Sequence, residues 1–148
     1  MNSHSVSVDR VIDAPPAEIF ALLADAGRHQ SFDGSGSVQG TRNESEPLEL
    51  GTTFGMSMKM GFAYKTANTV IEFERDRLIA WQTRGFGGFI GGRIWRYELI
   101  PVEQGTHVIE TWDISQDKQR FLLKHSNFPA MTRKNMTETL ERISQALA

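Results

Sequence analysis

Glu110 lies in the run THVIETWDI (106–114), where alternation puts it on one side of a strand with Val108 and Trp112. A carboxyl group in apolar company suits two tasks: holding a ligand hydroxyl, or taking a proton as a general base. Tyr64, in the run AYKTANTVIEF (63–73), adds a phenol that could serve as the complementary donor or acid. A plainer account stands beside this one, with Glu110 at a sheet edge or paired with a buried arginine.

Other chemistries have less support. The chain has no cysteine, which excludes disulfides, thiolate metal sites and thiol nucleophiles. Its histidines (His4, His29, His107, His125) show no metal-ligand spacing, so no metal and no other cofactor is expected. No G-x-S-x-G elbow occurs, and no serine has an assigned base and orienter. The stretch GFGGFIGG (85–92) is rich enough in glycine to suggest a phosphate cradle. Such a cradle needs a helix after it, whereas strand-like sequence enters and leaves this one, and Ile90 stands where a third glycine would be required. What remains is a hairpin loop: a plain turn, or a pocket-rim flap carrying Phe86, Phe89 and Ile90.

A chain of 148 residues is expected to form one domain, residues 1–148, with enough core to need no staples. The opening MNSHSVSVDR lacks the apolar run of a signal peptide, and no stretch is long enough for a membrane span, so a cytoplasmic protein is expected. With a net charge of −2 and both signs mixed along the chain, neither nucleic acid nor an anionic membrane is expected as the main partner.

The elements that must position these residues follow from periodicity. SVSVDRVID (5–13) reads as a strand. APPAEIFALLADAG (14–27) reads as a helix capped by Asp13, begun by prolines and ended by Gly27, with Ile19, Phe20 and Leu23 as its apolar face. A second small helix is expected at RHQSF (28–32). Strands are predicted at 37–42, 52–60, 63–73, 77–84, 93–100 and 106–114, joined by short turns as in an antiparallel meander. The tail predicts a short helix around 117–126 and a long one from about 129 to 147. In the long helix Met136, Leu140, Ile143 and Leu147 share a face, and Glu138 precedes Arg142 by four residues.

At VDRVIDAPPAEIFALLAD (8–25), WRYELIPVEQGTHVIETWD (95–113) and NMTETLERISQAL (135–147) the chain resembles the polyketide cyclase/dehydrase-like branch of the START-related (SRPBCC) superfamily, common in actinobacteria. The resemblance runs over nearly the full length. It implies an α+β helix-grip fold: a curved antiparallel sheet of about six or seven strands around the long C-terminal helix, with one or two short helices after the first strand. Related sequences often carry Trp where Phe32 stands, and the methionine-rich strand 52–60 is individual to this chain, so no relative's substrate carries over.

In such a fold the concave sheet face and the long helix enclose a cavity, and strand alternation names its lining. The expected inward residues are Phe54, Met56 and Met58; Tyr64, Thr66, Asn68 and Val70; Ile79, Trp81 and Thr83; Trp95, Tyr97 and Leu99; and Val108, Glu110 and Trp112. Phe86 and Phe89 join them from the glycine loop, His125 from the short helix near the mouth, and Met136 from the long helix. Arg84 and Arg96 alternate outward and are expected to be solvated. Methionines make such a face adaptable, while the polar groups among the aromatics exceed what a dry core carries. Desolvation in that cavity would raise the pKa of Glu110.

The reading favoured is a binding or transport protein for a small hydrophobic, partly polar molecule: a lipid, polyketide or aromatic compound. The alternative is a cofactor-independent cyclase or dehydratase moving protons with Glu110 and Tyr64. The third is a protein-interaction domain, with a homodimer seam among its forms.

Overall fold

A computed structural model of the chain describes residues 4–25, 28–32, 38–41, 47–59, 63–85, 88 and 90–147, with backbone alone at 30–31, 38–41, 56–59 and 63–64. The elements are β1 (Ser5–Ile12), α1 (Pro16–Leu23), α2 (His29–Phe32), β2 (Val38–Thr41), β3 (Thr53–Lys59), β4 (Ala63–Glu74), β5 (Leu78–Gly85), β6 (Ile90–Val102), β7 (Gly105–Asp113), α3 (Arg120–Lys124) and α4 (Phe128–Ala146).

The strands form one seven-stranded antiparallel sheet in the order β1-β7-β6-β5-β4-β3-β2. From β2 to β7 each strand pairs with the next along the chain, as in a meander, and β1 joins by pairing with the last strand. Nineteen residues long, α4 begins one residue before Pro129, where a missing N–H costs nothing. It buries Met136, Leu140 and Ile143 with inward residues of the sheet. Glu138 and Arg142 pair on it at 2.9 Å. Sheet and gripping helix are the helix-grip arrangement that the sequence implied.

Three local expectations need correction. The residue before α1 is Pro15 in an extended conformation, with no side-chain cap; Asp13 lies too far upstream. The described helix stops at Leu23, and Gly27 is outside the described residues. Third, the glycine stretch is only partly a loop, because β6 begins at Ile90 and takes Gly91 and Gly92 into the strand.

Those two glycines serve close backbone approach. Gly91 and Gly92 have φ of +98° and +112°, beside a register shift at Thr83/Arg84. A Cβ on Gly91 would stand 2.6 Å from the Thr83 carbonyl oxygen, and one on Gly92 2.5 Å from that of Gln116. No other residue fits there. The tight fit anchors the segment that leads into α3. Gly91 N–H donates to Gln119 Oε1 at 2.9 Å, and Arg93 meets the fully buried Asp117 at 3.1 Å.

β4 carries a bulge between Val70 and Glu72. Before it Thr66, Asn68 and Val70 face inward; after it Phe73 does, meeting Phe20 edge-on at 5.3 Å. The bulge leaves Glu72 on the outer face, in register with Ala80 of β5 and Arg96 of β6 beyond. Because Ala80 is small, Arg96 reaches across and donates two hydrogen bonds to the Glu72 carboxylate, at 2.6 and 2.9 Å. Arg96 is therefore a pinned side chain, not a solvated one. Its hydrogen bonding to Glu72 raises its pKa further, which keeps the guanidinium charged. Glu72→Gln should cost about 1 kcal/mol, less in high salt, as read from the denaturant midpoint. An unchanged midpoint at low salt would mean that the pair contributes nothing.

Candidate functional site

The inner face of the sheet is built from alternate residues of five neighbouring strands. β3 gives Phe54, β4 Thr66 and Asn68, β5 Trp81 and Thr83, β6 Trp95 and Tyr97, and β7 Glu110 and Trp112. Strand pairing sets them side by side: Phe54 against Asn68, Asn68 against Thr83, Trp81 against Trp95, and Tyr97 against Glu110.

Two apolar groups occupy this interior. The larger gathers Phe54, Val70, Ile79, Trp81, Tyr97, Leu99 and Val108 under α1, α2 and the middle of α4. The smaller joins Val6, Trp112, Ile114, Leu123 and Met136. Trp95, half-buried, borders both and lies 6.5 Å from the Trp112 ring.

Polar side chains run between and beside these groups. Thr83 Oγ1 donates to Asn68 Oδ1 at 2.6 Å, and Asn68 Nδ2 donates to the Phe54 carbonyl at 3.2 Å and to Thr66 Oγ1 at 3.3 Å. That thread fixes the orientation of the Asn68 amide. Glu110 stands between Val108, in the larger group, and Trp112, in the smaller. It is 2% exposed, on a strand with neighbours on both sides. The edge-strand account of this carboxyl group therefore fails. On α4, Thr139 is also buried, between Met136 and Leu140 in the sequence, and its hydroxyl donates to the Asn135 carbonyl at 3.0 Å.

Of the residues predicted for the site, the structure brings Phe54, Asn68, Trp81, Thr83, Trp95, Tyr97, Glu110, Trp112 and Met136 to one interior. Trp112 and Met136 are close-packed there, each 1% exposed. Met56, Met58 and Tyr64 lie on β3 and β4 as expected, with their side chains outside the described residues, as are Phe86 and Phe89 entirely. His125 is not brought in. It sits exposed just after α3, its ring 4.7 Å from that of exposed Phe121, because the turn of α3 that points inward is Leu123.

Sequence reading missed His29. It is 3% exposed, with its ring stacked 4.9 Å over Trp81 and Phe32 and Phe54 edge-on at 5.3 and 5.6 Å. Its Nε2 lies 2.8 Å from the Leu23 carbonyl oxygen, which can only accept, so Nε2 carries the hydrogen. In the neutral ring Nδ1 is then the acceptor. The signal was available: His29 and Phe32 are three apart in a short helix, hence on one face.

Comparison with known proteins agrees with this fold. Residues 3–148 match the family described as Polyketide cyclase / dehydrase and lipid transport. The uncharacterized protein Rv0088 of Mycobacterium tuberculosis is 35% identical over 104 residues, 69% of this chain. The match spans 44% of that relative's length, less than half of it. Among solved structures, protein CV1439 from Chromobacterium violaceum superposes with a TM-score of 0.73 at 12% identity, covering 97% of this chain and 96% of that one. Protein Ms6760 from Mycobacterium smegmatis gives 0.72 at 12% identity, over 98% and 91%. The Aha1 dimer from Colwellia psychrerythraea gives 0.67 at 16%, over 97% and 95%. At such identities these structures are similar in fold alone.

Proposed function

Since the chain belongs to the polyketide cyclase/dehydrase and lipid transport family, we propose that it binds a small hydrophobic, partly polar molecule between the inner sheet face and α4. One observation carries the reading: Thr66, Asn68, Thr83 and Glu110 are interior side chains on a face otherwise made of aromatic and aliphatic groups. Even bonded to one another, as Thr66, Asn68 and Thr83 are, buried polar groups add little over apolar residues of the same shape, so packing alone gives no reason to place them there. A ligand with an apolar body and one or two oxygen atoms suits such a face: a lipid, a polyketide or an aromatic compound. Trp81, Trp95 and Tyr97 would contact its body, with Met56 and Met58 adapting to its outline. Asn68, Thr83 and Glu110 would hold its oxygens.

A fluorescent naphthalene dye tests this. It should bind saturably at about one per chain, quench tryptophan emission and raise the melting temperature by mass action. Trp95→Ala should weaken binding several-fold. A titration with no saturable phase, repeated after stripping any co-purified ligand, would overturn the reading. Native mass spectrometry of protein from its own source would weigh the ligand itself.

The burial of Glu110 on an inner strand favours one further reading, a cyclase or dehydratase in which Glu110 and Tyr64 move protons for a folded polyketone. Glu110→Gln separates the two. A carrier keeps its function with an altered affinity, whereas an enzyme keeps binding and loses turnover.

A further inference from the structure

We propose that the α3 segment is a docking surface for an anionic phospholipid bilayer. Phe121 and Leu122 are 72% and 70% exposed, adjacent, and both point outward, while Leu123 anchors the same short helix in the smaller apolar group. Exposed Ile90 lies at the same end, because Lys118 N–H donates to the Gly91 carbonyl at 2.9 Å and Lys118 Nζ to that of Gly88 at 2.6 Å. Two large apolar side chains raised side by side on a helix held down by Leu123 suit a contact surface.

Charge identifies the partner. From Lys118 to Lys134 the chain carries Lys118, Arg120, Lys124, Arg133 and Lys134 and no acidic residue, although acidic residues outnumber basic ones overall, 18 to 16. The nearest acid, Asp117, is fully buried and paired with Arg93, so it does not offset the field outside. Lys118 and Arg120 precede the apolar pair and Lys124 follows it. Lys118 and Arg120 each donate to one backbone carbonyl and keep further N–H donors, which with those of Lys124 can meet headgroup phosphates while Phe121 and Leu122 enter the acyl boundary. The net charge of −2 that argued against an anionic membrane is an average over the whole sequence, from which this stretch departs. A shallow convex wedge of one helical turn fits a bilayer interface better than the complementary groove that a protein partner would require.

The test is co-sedimentation of the whole chain with vesicles of phosphatidylcholine alone and with phosphatidylglycerol added. Vesicle binding needs no ligand in the interior, so its outcome is separate from that of the dye titration. Wild type should bind the anionic vesicles, weakly or not at all the neutral ones, and less as salt rises. Each basic residue at such a surface contributes about fivefold, so Lys118→Gln with Arg120→Gln and Lys124→Gln should cut partitioning on the order of a hundredfold. Phe121→Ser with Leu122→Ser should cut it at least about tenfold. Circular dichroism should find both variants folded, and either one alone suffices for the test. Equal binding to neutral vesicles, or none to either kind, overturns the proposal. So does retention on immobilised polyglutamate without vesicle binding, which would assign the face to an acidic protein. A dimer in analytical ultracentrifugation that both variants dissolve, again without vesicle binding, would assign it to a second copy.

Discussion

Shortening Leu140 to alanine is expected to cost about 2–5 kcal/mol of folding stability. Leu140 is 1% exposed and packs in the larger apolar group with Tyr97, Leu99 and Val108. The cavity left by its side chain would lie where helix meets sheet, where rigid strands limit collapse. Glu141→Ala, one residue on and exposed, should stay within about 0.5 kcal/mol of wild type. Denaturant unfolding of both variants measures the difference. A loss below about 0.5 kcal/mol at Leu140 would mean that α4 does not grip the sheet.

Gly92→Ala should cost about as much, on the order of 2–4 kcal/mol, from strain at positive φ together with overpacking. The atom in the way is a backbone oxygen, that of Gln116, which no rotamer change can remove. Relief must come from moving the chain around Asp117, which supports α3. The variant should therefore also lose protection from hydrogen exchange across 115–124, while the β1–β7 pairing stays protected. A stability loss without that local signature would separate the glycine from the positioning of α3.

How far the sequence could be read depended on the kind of signal. Strands with clean alternation, such as 106–114, and the long helix with its apolar spacing were legible because period alone decides them. The short helices were legible in place only. Alternation fails at a bulge. Carried past Val70 without interruption, it would send Glu72 into the core and Phe73 out to solvent, and the structure does the reverse. Composition misled at Gly91 and Gly92, which look like loop residues but are strand residues pressed against other backbone. His29 escaped notice because the one spacing that marks it, to Phe32, spans a single helical turn, and most of its aromatic surroundings come from strands distant in sequence. Arg96 was placed on the correct face. Its partner was missed because the small residue between them, Ala80, matters only once register is known.

The pairing of β1 with β7 has a consequence for synthesis. Ser7 and Thr111, whose hydroxyls meet at 2.8 Å, are 104 residues apart. Translated at ordinary rates, β1 leaves the ribosome on the order of 5–20 s before its partner β7 exists. The meander from β2 onward can zip locally as it emerges, but β1 and the α4 that lies over it must wait for nearly the whole chain. Such long-range closure makes for slow folding. Throughout that interval the valines of β1, Val6 and Val8 among them, are open to any other strand edge, so molecules made close together on one message are at risk of pairing with each other before each can close on itself.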